Sequence, residues 1–227
     1  MRPALAIFFL IVGGVALAAL VSLRTPHPDP LATDAPPAET TSPGAKDAIK
    51  PAANSGADSE AKFDKVRVGS MRASMEIVGR GTIVMEFYPK AAPKTVAHIA
   101  ELAAKNFWDG LKVHRVDDEV VQMGDPTSKD SIPEEFELKG VGSHGSGTTV
   151  PLEVSAKLPN LKYTVGLART QDTASGDSQI YINLADNPGF DFNYCVFGRV
   201  VTGTDIVNKI TKGDVIKHIQ VYEASQK

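Results

Sequence analysis

Cysteine is almost missing from this 227-residue chain, which carries only Cys195. One thiol excludes an intrachain disulfide framework and any zinc site built from cysteines alone. Cys195 lies in the apolar run NYCVFGRVV, where a cysteine acts as a small buried hydrophobe. An excess of one charge sign is missing too. The 24 Lys and Arg against 27 Asp and Glu leave a net charge of −3 and a pI near 6.0, so nothing marks a nucleic-acid partner. No internal repeat is visible. The histidines are scattered: His98 and Glu101 could share a helix face, but no third ligand completes a metal site, and no metal or cofactor is expected. Ser178 has no G-x-S-x-G elbow around it, and no Ser–His–acid set follows from spacing. Gly140-Val-Gly142-Ser-His-Gly145 matches G-x-G-x-x-G by letters, yet the following SGTTVPLEV is strand-like and broken by Pro151. A dinucleotide site needs a helix there, so a flexible glycine loop lining a groove is expected instead.

What the chain does contain falls into three parts. Residues 4–23, ALAIFFLIVGGVALAALVSL, carry no charge. As a helix, about 20 residues at about 1.5 Å each match the bilayer core of about 30 Å. Residues 1–24 are therefore expected to be a membrane anchor, or a signal peptide cleaved near Ala16-Leu17-Ala18. Either way the body is exported to the extracytoplasmic, periplasmic side, anchored to the inner membrane or released from it. Residues 25–61 are dominated by Pro, Ala, Thr, Ser and Asp. Such a stretch cannot bury enough apolar surface to offset its ordering entropy, and a disordered linker is expected.

Residues 62–227 have the composition of one globular domain. MEIVGRGTIVMEFY (75–88) reads as two strands around Gly79-Arg80-Gly81, a β-hairpin. Val96, Ile99, Ala100 and Ala103 recur at helical spacing behind Pro93, which suits a first helical position. Short strands follow, then a second helical segment, TDIVNKITKG (204–213), with Thr204 or Asp205 as cap and Gly213 as stop. VIKHIQVYE reads as a closing strand. Many strands with two separated helices favour a mainly β fold, a closed barrel with helices packed on it. Within it, KVHRVDDEVVQMGDP (112–126) sets Arg115 and Gln122 on two β segments around Asp117, Asp118 and Glu119. Alone, such a pair is ordinarily a solvated face.

Several segments together resemble the cyclophilin family of peptidyl-prolyl cis–trans isomerases. GTIVMEFYPKAAPKTVAHIAELA is similar to the family's first hairpin and helix, and FWDGLKVHRV with VVQMGDP to the segment carrying its catalytic arginine. VGLARTQDTASGDSQIYIN and YCVFGRVVTGTDIVNKI resemble its middle strands and second helix. The resemblance spans about residues 72–222. It implies an eight-stranded antiparallel β-barrel capped by two α-helices, acting as a monomer on proline-containing segments of unfolded or exported polypeptides. It makes Arg115 the catalytic arginine and Gln122 its groove partner. Gln179 matches the glutamine that binds peptide backbone, and Tyr181 stands where the family has a phenylalanine flooring the proline pocket. Ala168 and Arg169 match the strand along which substrate lies, Phe190 an apolar pocket position, and Tyr194 one held by histidine or tyrosine. Val120, Leu167, Tyr181 and Phe190 are expected to grip the proline ring.

The departures are specific. Asp117-Asp118-Glu119 replaces the family's proline-glycine-phenylalanine turn and is one residue shorter, so the pocket loses an aromatic and gains acidic rim residues. No tryptophan stands near Asn187-Pro188-Gly189, which argues against tight cyclosporin binding. Met123 replaces a glycine, and SKDSIPEEFELK (128–139) reads as an inserted surface loop beside the groove. A non-catalytic module that holds proline-containing peptides is the alternative to an isomerase.

Overall fold

The computed structural model describes residues 71–223. The expected apolar helix, the linker and residues 62–70 lie outside the described residues. Among the described residues, no helix is long and apolar enough to cross a membrane.

Eight strands form one antiparallel sheet: β1 Met71–Ile77, β2 Gly81–Phe87, β3 Val113–Val116, β4 Val120–Met123, β5 Thr164–Leu167, β6 Ile180–Asn183, β7 Cys195–Thr202 and β8 Ile216–Glu223. Their lateral order is β3-β4-β6-β5-β7-β2-β1-β8. The sheet is curled, with β3 and β8 at its edges. Those edges meet at one corner, through the single bridge Lys112–Val215 and backbone bonds such as Ile216 N to Leu111 O at 2.8 Å. The expected closed barrel is thus present as a curled sheet whose edges share a few bonds and no continuous ladder among the described residues.

The first hairpin forms as its alternation dictates. β1 and β2 pair from Arg72–Glu86 to Ile77–Gly81, and the turn between them uses Gly79 at φ 73°. Ala73, Met75, Ile77, Ile83, Met85 and Phe87 are buried and join the interior core with Ile99, Trp108 and Phe197. Each of the larger side chains, Met, Ile or Phe, stabilises the fold by about 1.5–3 kcal/mol.

Helix α1, Pro93–Ala104, packs Val96, Ile99, Leu102 and Ala103 onto this core. Its own N-cap residue, Ala92, supplies no side-chain cap. The Glu153 carboxylate takes that role from a distant loop, accepting from Lys94 N at 3.1 Å and Thr95 N at 2.8 Å. At the other end Asn106, with φ 56°, makes a left-handed cap: Phe107 N bonds Leu102 O and Asn106 N bonds Ala103 O. This is the Schellman pattern, which satisfies the last carbonyls.

The second helix is much shorter than its sequence pattern predicts. α2 covers only Thr204–Val207, and neither Thr204 nor Asp205 caps it; Gly203 does, at φ 89°. After it the bonds tighten to three-residue turns, Lys209 N to Ile206 O and Ile210 N to Val207 O. Asp214 then draws the chain away, accepting from Thr211 N at 2.8 Å and pairing with Arg80.

Candidate active site

Strand register gathers the site. Arg115 lies opposite Gln122, Gln122 opposite Tyr181, and Tyr181 opposite Gly166, one row across β3, β4, β6 and β5. Directly opposed residues share a face of the sheet, and residues two apart along a strand join them. Val121, Ile180, Ile182 and Val165 occupy the alternate positions and lie in the interior core. The row therefore stands on the outer face, with Val120 two positions away on β4 and Gln179 two positions before Tyr181, just ahead of β6.

A polar line runs through it. Arg115 Nε donates to Asp117 Oδ2 at 2.6 Å, and Arg115 Nη1 approaches Gln122 Oε1 at 3.5 Å. Gln122 Nε2 donates to Gln179 Oε1 at 2.8 Å. Gln179 Nε2 in turn donates to the carbonyls of Gly142 and His144 at 2.9 and 2.8 Å. The amides of those same two residues donate to Asp125 Oδ2, at 2.6 and 2.9 Å. The glycine loop expected to be flexible is thus clamped from both sides, by a carboxylate that takes its N–H groups and a carboxamide that takes its C=O groups. Asp125 is fully buried and also accepts from Thr127 N and Oγ1. Burial alone would push its carboxyl up, but the bonds from Thr127, His144 and Gly142 outweigh it and hold the carboxyl below its ordinary value.

Beside this line sits a small apolar cluster distinct from the interior core: Val120, Ala168, Tyr181, Phe190 and Tyr194. The three rings meet edge to face, with centroids 5.3 Å apart for Phe190–Tyr194, 6.0 Å for Tyr181–Phe190 and 6.1 Å for Tyr181–Tyr194. Tyr181 is 0% exposed, so its ring lies beneath Phe190 and Tyr194 as a covered foundation. Its hydroxyl donates to Asn160 Oδ1 at 2.7 Å, and burial raises the phenol well above its ordinary range, keeping it a donor.

Most predicted residues converge here, but Leu167 does not. It packs in the interior core, because Ala168 next to it faces outward and adjacent strand residues point to opposite faces. Met123 is likewise interior. Arg169 folds back on the 190s loop: Nε donates to Asn193 O at 2.7 Å, and the guanidinium lies 5.1 Å from the Tyr194 ring centre. It braces that wall. His98 and Glu101 part company, His98 buried 3.5 Å from Asp177 and Glu101 paired with Lys105 in solvent. Ser178 is fully buried and donates to Gly124 O at 2.8 Å, a structural role. The inserted segment has its own anchor, buried Phe136, with Lys212 over its ring and Pro133 close against Gly213.

Two features went unread in the sequence. One is the bond from Arg115 to Asp117. The other is a buried asparagine network: Asn183 Nδ2 donates to Thr164 Oγ1 and Asn160 Oδ1, and Asn187 Nδ2 to Asn183 Oδ1 and Glu119 O. It ties the acidic turn to the hydroxyl of Tyr181. Asn183 stands two residues from Tyr181 in IYIN, a period-2 signal that marks it as sharing the Tyr181 face.

Comparison with known proteins points the same way. Residues 72–225 match the family model "Cyclophilin type peptidyl-prolyl cis-trans isomerase/CLD". The chain is 36% identical over 134 residues to the probable peptidyl-prolyl cis-trans isomerase of Brucella abortus (strain 2308), covering 59% of this chain and 68% of the relative. It is 33% identical over 142 residues to peptidyl-prolyl cis-trans isomerase B of Bacillus subtilis (strain 168), covering 61% of this chain and 90% of the relative. In fold it resembles the crystal structure of a Cryptosporidium parvum cyclophilin type peptidyl-prolyl cis-trans isomerase determined in the presence of the dipeptide Ala-Pro. That likeness has TM-score 0.56 at 18% identity, covering 66% of this chain and 98% of that one.

Proposed function

This chain belongs to the cyclophilin-type peptidyl-prolyl cis-trans isomerase family, and we propose that it turns X-Pro bonds over in the groove formed by Arg115, Gln122 and Gln179. Amide resonance opposes this rotation by about 18–20 kcal/mol, and uncatalysed X-Pro exchange takes on the order of tens of seconds or more. No covalent bond changes. At the twisted transition state the prolyl nitrogen turns pyramidal and gains a lone pair. A donor aimed at that nitrogen binds the transition state better than either planar ground state. Arg115 stays charged and offers several N–H groups in a rigid fork. One charge-assisted bond of about 1.5–3 kcal/mol supplies one to two decades of rate. The remainder comes from holding the proline against the apolar wall of Phe190 and Tyr194, which Val120 and Tyr181 back from beneath. The single observation that carries this assignment is the register row, which sets Arg115, Gln122 and Tyr181 side by side on one outer face.

The clients are proline-containing segments of exported polypeptides, met by a monomer on the periplasmic side. The charge-free run of residues 4–23 supports this location, as an anchor or as a cleaved signal. A barrel capped by the two helices is the form this sheet would take in the acting protein, a reading supported by the bridge Lys112–Val215.

A second reading is a module that binds proline-containing peptide without catalysing exchange. The complete burial of Tyr181 and Val120 favours it, because a covered foundation offers the proline ring less depth. Exchange of a short Ala-Pro peptide, followed by NMR on the purified protein, separates the two. Arg115→Ala is expected to remain folded and lose at least about tenfold in turnover. Undiminished turnover in that variant rejects Arg115 as the donor. Saturable binding with no exchange by the unaltered protein establishes the second reading.

A further inference from the structure

The acidic turn between β3 and β4 is built around one side chain. Asp117 Oδ1 accepts from Glu119 N at 2.9 Å and Val120 N at 2.8 Å, closing an Asx-type turn. Asp117 N donates to Val120 O at 3.1 Å, so its backbone belongs to the same hairpin end. Its second oxygen, Oδ2, accepts from Arg115 Nε at 2.6 Å. The carboxylate is therefore fixed by the turn before it meets the guanidinium. On the far side Arg115 Nη1 faces Gln122 Oε1 at 3.5 Å, and Gln122 is itself held by Gln179. A guanidinium is planar, so contacts at Nε and Nη1 together define the plane of the group.

We propose that Asp117 is the positioning residue of Arg115: it holds the guanidinium in the plane from which its terminal nitrogens address the prolyl nitrogen. This rests on Arg115 being the donor. Asp117 touches no reacting atom and acts only through the arginine. Two consequences of the carboxylate oppose each other. It fixes orientation, which lets the donor meet a transition state without reorganising. It also offsets part of the arginine's charge. The Asp117 side chain is 36% exposed, and water screens an ion pair at such a site. The charge offset is therefore the smaller effect, and loss of Asp117 slows turnover.

The test measures kcat and KM for Ala-Pro peptide exchange on the full chain, comparing the unaltered protein with Asp117→Asn and Arg115→Ala. Asparagine keeps an oxygen for the two turn amides but presents no carboxylate to Nε. Asp117→Asn is expected to lower kcat about threefold to tenfold, with KM changed by less than about twofold. The Arg115 Nε–H resonance is expected to be shifted and slowly exchanging in the unaltered protein, and to move and exchange faster in the variant. An unchanged or raised kcat in Asp117→Asn, with Arg115→Ala inactive, overturns the proposal, and so does an effect confined to KM. If Arg115→Ala keeps full activity, it is the donor assignment beneath that fails. Should Asp117→Asn not fold, the unaltered protein decides: a protected Nε–H supports the role, and one exchanging like a free arginine overturns it.

Discussion

The ring of Tyr181 lies directly across Gly166: a methyl group built on that glycine would stand 2.2 Å from Cζ and 2.3 Å from the hydroxyl oxygen. The two residues are register partners on β6 and β5, so the ring has nowhere else to go on that face. Glycine is needed here for space. Gly166→Ala is expected to push the ring out of the cluster and break its bond to Asn160. Overpacking and a lost buried hydrogen bond together cost about 2–4 kcal/mol. Denaturant unfolding should show this loss, and Ala-Pro exchange should fall with it. Wild-type stability in Gly166→Ala would mean that the ring is not confined.

Cys195 sits in β7 with 1% of its surface exposed and its sulfur 3.5 Å from Thr95 Oγ1. Burial is the main cause that pushes its thiol up to about 11, opposed by the Thr95 contact. The nucleophile is the thiolate, so the folded protein should resist thiol reagents at pH 8 and label fully once unfolded. The linkage has a definite sign. A pKa raised above the unfolded value of about 8.5 adds stability below that pH, which fades as pH climbs toward the folded value. Rapid stoichiometric labelling under native conditions would contradict this placement.

Much of this was legible in the sequence wherever a period applied. The alternation of 75–88 specified the first hairpin, and the spacing of Val96, Ile99 and Ala103 specified α1. Arg115 and Gln122 read alone as a solvated pair; only the resemblance across several segments singles them out, and the register joins them. Leu167, expected at the pocket, packs in the interior core, because side chains alternate between the two faces of a strand. α2 stops early because β-branched Ile206, Val207, Ile210 and Thr211 favour a helix weakly, and the Thr211–Asp214 turn competes with it. The full burial of Tyr181 could not be read from its own strand, since the covering rings of Phe190 and Tyr194 come from a separate loop. In the sequence, Asp117 reads only as part of a turn that lacks an aromatic. Only three-dimensional proximity shows the carboxylate bonded to the arginine two residues before it.

Asp125 links fold stability to the groove, and its titration should be visible in both. Its carboxyl is held below the ordinary value: burial works against the charged form, and the donors of Thr127, His144 and Gly142 more than compensate. A depressed pKa adds stability above the unfolded value of about 3.9, and that stability is lost as pH falls through the lower folded value. Asp125→Asn should therefore destabilise the protein at neutral pH, by about 2–3 kcal/mol for hydrogen bonds to a buried charge. It should also flatten the acid limb of a plot of melting temperature against pH. Asp125 clamps the Gly142 and His144 amides whose carbonyls receive Gln179. Freed of that clamp, the loop should release Gln179, and peptide affinity should weaken before turnover at saturation does. A variant with the same acid limb as the unaltered protein would place the depressed carboxyl elsewhere.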